Sequence, residues 1–144
     1  MDGHFHRNFF PREFACKTMR PWDNYFWWVE LQGLPPKSVV DPADWPPPSG
    51  VLPIEVKAGI DETNGLHVNS GSSQVTVWLS PKLLDFKKRA TITANGRRLN
   101  SPDQMIRADL GVLLEDVRTR GDRQHPFWAR VDGATGRKAP GEER

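Results

Sequence analysis

Seven prolines fall within residues 33–53, GLPPKSVVDPADWPPPSGVLP, and no other stretch restricts the fold so severely. Proline fixes φ and removes a backbone donor, so this segment can be neither a helix interior nor a central strand. It must run extended and polyproline-like across a surface, with Trp45 placed to pin it. One reading is a rigid crossover between strands. The other is a ligand for a proline-recognition module, whose aromatic groove accepts such a preformed helix. Strand patterns on both sides favour the crossover.

On the N-terminal side, Tyr25–Leu31 alternates with apolar residues on both faces: Tyr25, Trp27, Val29 and Leu31 on one, Phe26 and Trp28 on the other. Such a strand belongs in an interior or under a neighbouring domain. On the C-terminal side, Ile54, Val56, Ala58 and Ile60 point one way and Glu55 and Lys57 the other. A turn at 61–65 with Asn64-Gly65 as its positive-φ pair leads to a partner strand from Leu66, and Gly71–Ser73 turns again. Val75, Val77 and Leu79 form the inward face of the next strand, with Thr76 and Trp78 outward. Ser80–Phe86 reads as a single capped helical turn. Ala90, Ile92 and Ala94 alternate with Thr91 and Thr93 up to Asn95-Gly96, a strong hairpin signal. Asp109 caps a helix whose Leu110, Leu113, Leu114 and Val117 share a stripe and which stops at Gly121. Phe127, Ala129 and Val131 begin a last strand. The pattern predicts an immunoglobulin- or fibronectin-III-like β-sandwich of about seven strands with one short helix near residues 109–120. Its boundaries are an N-terminal extension over 1–20, a sandwich over 21–132 and a disordered tail over 133–144. Within the extension, Phe5, Phe9 and Phe10 suggest a short amphipathic helix before Pro11.

Composition supports one folded domain of 144 residues. The 12 Gly and 13 Pro suit short strands and turns, and six Trp with seven Phe offset a hydrophobic share of 37%. A net charge of +2 from 20 basic and 18 acidic residues gives little steering toward nucleic acid or an anionic membrane. Cys16 is the single cysteine, which rules out an intrachain disulfide and a cysteine-based zinc cluster; it reads as an inert buried thiol. No run approaches the ~20 apolar residues of a membrane span, and the N-terminus lacks the form of a signal peptide. The expected location is therefore cytoplasmic by default.

Chemistry is sparse. No G-x-S-x-G elbow is present, and Ser70-Gly71-Ser72-Ser73 belongs to a turn without a following helix. A Ser–His–Asp triad built on Ser72 would need His67 or His125, and no local motif supports it. His4 and His6 could chelate a metal weakly, with Asp2 and Glu13 as unconvincing further ligands. No cofactor is expected. The densest cluster is LEDVRTRGDRQHPFW over 114–128. Arg118, Arg120 and Arg123 could clamp a carboxylate or phosphate. The plainer reading is an ion-pair network, with Asp116–Arg120 and Glu115–Arg118 at helical spacing. The tripeptide Arg120-Gly121-Asp122 matches an integrin-recognition motif, as three residues at a helix stop do by coincidence. Exposed indoles drawn from Trp22, Trp27, Trp28, Trp45, Trp78 and Trp128 could also form a carbohydrate-stacking platform.

Four longer strings carry a resemblance: RPWDNYFWWVE over 20–30, DWPPP over 44–48, VTVWLSP over 75–81 and LLEDVRTRGDRQHPFW over 113–128. Together they resemble the C-terminal region of large bacterial α/β-hydrolase proteins of the prolyl-oligopeptidase or dienelactone-hydrolase type, over most of residues 9–132. In that family a Ser–Asp–His domain comes first and this β-rich region follows, so the resemblance places the catalytic residues upstream and maps none onto this chain. It implies that Met1 is an internal start, a truncated frame or a separated domain, and that residues 1–14 are the exit from a hydrolase helix. The function it implies is a noncatalytic accessory module that docks on a hydrolase domain in cis or in trans, or shapes substrate access. The surface expected to do so comprises Phe26, Trp28, Arg118, Arg120, Arg123 and Trp128. Carbohydrate binding is the alternative, and a stand-alone hydrolase a third.

Overall fold

The computed structural model describes residues 8–102 and 104–140. Among them nine strands form two sheets: β1 (Glu13–Thr18), β2 (Tyr25–Phe26), β3 (Val29–Gln32), β4 (Ile54–Ile60), β5 (Gly65–Ser70), β6 (Gln74–Leu79), β7 (Thr91–Ala94), β8 (Arg97–Arg98) and β9 (Ala129–Ala134). One α-helix, α1 (Leu110–Arg120), precedes β9. The first sheet has the order β1-β4-β5-β7-β8 and the second β2-β3-β6-β9. The chain is therefore mainly β, a two-sheet sandwich with one helix. Two strands are only two residues long, which leaves seven of substantial length. The immunoglobulin order gathers its strands into the sets ABED and CFG. Here consecutive strands change sheet more often, and β5 and β7 pair in parallel from Gly65↔Thr91 to Val68↔Ala94.

Alternation explains the first sheet. Ile54, Val56 and Ala58 face the core while Glu55 and Lys57 face water, because successive side chains leave a strand on opposite sides. Leu66 and Val68 of β5 and Ile92 and Ala94 of β7 complete the layer. Asn95 (φ 48°) and Gly96 (φ 78°) close the β7–β8 hairpin in the left-handed conformation that a type I′ turn requires. The Asn95 amide also accepts from Ser70 N and donates to Ser70 O, both at 2.9 Å, which clips the hairpin to the end of β5. The proline-rich segment joins β3 of the second sheet to β4 of the first. Trp45 is exposed rather than pinned.

Four expectations are corrected. The extension over 1–20 is not separate from the sandwich: Glu13–Thr18 is an edge strand antiparallel to β4, with Glu13 opposite Gly59 and Thr18 opposite Ile54. Phe9 and Phe10 lie in a bend rather than a helix, while Phe5, His4 and His6 fall outside the described residues. Tyr25–Leu31 is not one strand. It folds back at Trp27-Trp28, with Trp27 at φ 49°, so that Phe26 pairs with Val29. The left-handed turn costs Trp27 about 1–2 kcal/mol; in return the Trp28 ring is fully buried against Phe14, its Nε1 donating to Pro11 O at 2.9 Å. The tail boundary moves as well, because β9 continues to Ala134 and the next residue, Thr135, is buried, donating through its N–H to Ser73 O at 3.0 Å. Residues 141–144 lie outside the description.

The outer face of the second sheet is covered as well. Thr76 and Trp78 point away from the core, as the alternation requires, yet both are buried. Tyr25, Phe127 and Arg130 cover the indole of Trp78, at 6.3 Å and 6.2 Å between rings and 5.7 Å from the guanidinium. Trp78 Nε1 donates to Glu30 at 3.2 Å, and Thr76 links Gln32 to Asp132. A strand in mid-sheet with a polar ladder and a covered Trp needs no solvent on either side.

Candidate functional site

The helix is held over this face by a buried charge as well as by Val112, which packs against the core. Asp109 caps it, its Oδ1 accepting from Gly111 N at 2.7 Å, and Gly121 (φ 71°) stops it. Asp116, one turn from the end, is buried. Its carboxylate accepts from Arg120 Nε and Nη2 and from Phe127 N at 2.9 Å, joining helix and β9 approach in one network. Arg120 also donates to His125 O and lies 4.5 Å above the Phe127 ring. Tyr25 completes the cluster with its hydroxyl buried and lacking a hydrogen-bond partner among the described residues. Burial pushes its pKa well up, the Arg120 charge opposing and Asp116 and Glu30 reinforcing the shift.

With Asp116 and Arg120 turned inward, the predicted stripe divides. Leu110 and Leu114 are 71% and 58% exposed, while Leu113 and Val117 are half-buried. The three arginines therefore do not form a clamp: Arg120 is committed to Asp116, and Arg118 and Arg123 stand exposed. Glu115 pairs with Arg130 at 3.3 Å in place of Arg118. Of the other residues expected on a surface, Trp28 is withdrawn because it is fully buried, and Phe26 is half-buried. The indole exposed at that hairpin is Trp27, packed on Phe14 at 4.7 Å.

Trp128 stands apart. Its N–H donates to Leu79 O and its carbonyl accepts from Asp109 N, each at 2.7 Å, so both the end of β6 and the helix cap fix its backbone. The residue is 40% exposed and lines a cleft of about 870 Å³ at the loop end of the sandwich. Leu83, Leu84, Phe86 and Ile106 contribute apolar lining; the β4–β5 turn and residues 85–89 supply the charged rim. Asn64 (φ 64°) rivets those loops together, its side chain accepting from Asp85 N at 2.8 Å and donating to Asp85 O and Arg89 O. Asp61 Oδ1 accepts from Thr63 N, Thr63 Oγ1 and Gly65 N at 2.7–2.9 Å.

Asp61 Oδ2 lies 2.8 Å from His67 Nε2, and His67 Nδ1 lies 2.8 Å from Thr93 Oγ1. The Thr63 hydroxyl, the His67 contact and the Gly65 and Thr63 amides hold the Asp61 carboxyl below the usual carboxylate range. Carboxylate, imidazole and hydroxyl thus stand in a connected row of the type that activates a nucleophile. However, β7 is paired with β5 on one edge and β8 on the other, and Ile92 N, next to Thr93, donates to Asn100 Oδ1 at 2.9 Å, so these amides are committed elsewhere than to an oxyanion. The sequence signals the turn at 61–65 but not this row, because Thr93 and the rim arrive from distant residues. The serine that sequence singled out, Ser72, is buried and bonds to Ser70 Oγ and Gln74 O. It precedes β6, whereas His125 lies near the strand's other end, stacked on Phe9.

Among the described residues no group of three or more His, Cys, Asp or Glu side chains is placed to hold a metal, and no helix is long and apolar enough to cross a membrane. Burial raises the pKa of the Cys16 thiol, disfavouring the thiolate. Neither the protein-family models, nor the curated proteins, nor the solved structures contain a match to this chain.

Proposed function

We propose that this chain is a noncatalytic accessory module that docks on an α/β-hydrolase catalytic domain of the prolyl-oligopeptidase or dienelactone-hydrolase type. The observation that carries the reading is the split apolar face of α1. An ordinary surface helix buries its leucines and exposes its charges; this one buries Asp116 and, beside the half-buried Val112, Leu113 and Val117, leaves Leu110 and Leu114, one turn apart, largely exposed. A rigid apolar ridge held from behind by an ion pair suits a partner surface better than water. The family resemblance of residues 20–30 and 113–128 supplies the class of partner.

The test is retention of purified hydrolase catalytic domains of the two types, taken from the same genome, on immobilised chain. Wild type should retain one, and Leu110→Glu/Leu114→Glu should release it with an unchanged circular dichroism spectrum. Equal retention by both, or by neither, overturns docking through this ridge. Turnover of a generic aryl ester should stay at background. Turnover that disappears in His67→Ala or Thr93→Val would overturn the noncatalytic reading.

A further inference from the structure

The cleft beneath Trp128 lies outside the helix ridge and has a different chemistry. Its aromatic wall is carried on a backbone hydrogen-bonded on both sides, which fixes where the ring is rooted. The rim carries both signs: Asp61, Glu62 and Asp85 against Arg12, Lys87, Lys88 and Arg89, with Lys88 3.7 Å from Asp85. Arg12 reaches across it to Asp61 O at 3.2 Å, and Asn64 ties the two rim loops into one frame. A polyanion such as RNA would meet three carboxylates along its path, and a peptide of either charge would meet repulsion on one side. A neutral polyol suits both signs, because each hydroxyl donates to a carboxylate and accepts from a cation. The apolar C–H face of a pyranose ring matches the half-exposed indole.

A second cleft of about 910 Å³ adjoins the first and shares Phe86 and Ile106 with it. Its lining adds Ser101 and Gln104 as neutral donors and acceptors, and the cations Arg107 and Arg130, the latter offset by its pairing with Glu115 and Asp132. Each volume lies within the range of sites that hold small ligands, and their adjacency favours an elongated ligand over a single compact one. From these features we infer that the loop end of the sandwich is a binding site for a neutral oligosaccharide, with Trp128 as its stacking platform. The exposed indoles of Trp22, Trp27 and Trp45 lie on turns and connections away from this cleft lining, so the site rests on one ring and a hydrogen-bonding rim rather than on a row of indoles across a sheet.

The experiment is calorimetric titration of the full chain with cello-, xylo-, manno- and malto-oligosaccharides, with a polyuronate and a single-stranded RNA as further arms. Saturable binding of at least one neutral sugar is expected. Trp128→Ala should weaken it about tenfold or more, the loss of roughly one aromatic contact, while Trp45→Ala leaves it unchanged. Circular dichroism confirms that both variants fold; Trp128→Phe, which keeps a ring, should retain most of the affinity and serves if Trp128→Ala does not fold. Binding confined to the polyuronate or the RNA, absence of heat with every neutral sugar, or equal affinity in Trp128→Ala and Trp128→Phe overturns the inference. Leu110→Glu/Leu114→Glu should bind sugar as wild type does, which keeps failure of this site distinct from failure of the docking ridge.

Discussion

Replacing Asp116 with alanine tests whether a buried charge holds the helix in place. The substitution removes two bonds from Arg120 and one from Phe127 N. Phe127 is itself buried, so its amide is left without an acceptor, at a cost of about 1–3 kcal/mol. Breaking a buried ion pair costs about 3–5 kcal/mol when the surviving charge stays in the interior. Here the Arg120 side chain is 28% exposed and can turn toward water, which moves the expected total to the low end, about 3 kcal/mol. At about 4 °C per kcal/mol for a chain of this size, Tm should fall by about 12 °C. Thermal unfolding followed by circular dichroism measures the shift. Asp116→Asn keeps an acceptor for Phe127 N and should lose about half as much. Asp116→Ala/Arg120→Ala should cost clearly less than the two single changes added together, because each single variant strands the other's charge or donor. A loss below about 1 kcal/mol for Asp116→Ala, the worth of an exposed pair, would refute the anchoring argument.

Tyr25 is the single tyrosine of the chain, so the tyrosinate absorbance band reports on it alone. Its folded pKa is raised by burial, which makes its contribution to stability complete below the unfolded value of about 10 and progressively lost above it, by up to about 1.4 kcal/mol per pH unit. Tyr25→Phe should remove that alkaline loss and, because the hydroxyl has no partner among the described residues, leave neutral stability unchanged or higher by up to about 1 kcal/mol; a loss above that size would show a hidden partner. Two glycines should respond for different reasons. Gly96→Ala meets open space at φ 78° and should cost only the conformational term, about 1 kcal/mol. Gly133→Ala drives a methyl into Leu99 and should cost about 1–3 kcal/mol, most of it recovered by Leu99→Ala in the same chain. Urea unfolding distinguishes the two.

What the sequence revealed was what neighbouring residues decide together. The alternation through Ile54–Ile60, the Asn95-Gly96 turn, the Asp109 cap and the Gly121 stop are each set within a few positions, and each stands in the structure. The turn at Trp27-Trp28 was illegible because an indole at positive φ has no local signature; only burial of Trp28 beneath Phe14 sustains it. The same limit hid the exposure of two helix leucines. Leu110 and Leu114 read as core positions until Asp116 is seen to bond Phe127, eleven residues on. At the cleft, Trp128 was visible as an aromatic, whereas its rim joins residues 61–64 to 85–89 through one asparagine side chain. No periodicity encodes such a rivet.

The chain visits the first sheet with β1, the second with β2 and β3, returns for β4 and β5, and then alternates through β6, β7–β8 and β9. A cut in any connection from β2–β3 through β7–β8 therefore leaves both fragments with strands of both sheets. Neither sheet exists as a piece of contiguous chain, so there is no half-molecule to form early and wait. Non-local pairing of this kind makes for slow folding, milliseconds to seconds by comparison with other sandwiches. It also makes for opening as one unit, with amides in both sheets exchanging at a common rate instead of in separate tiers.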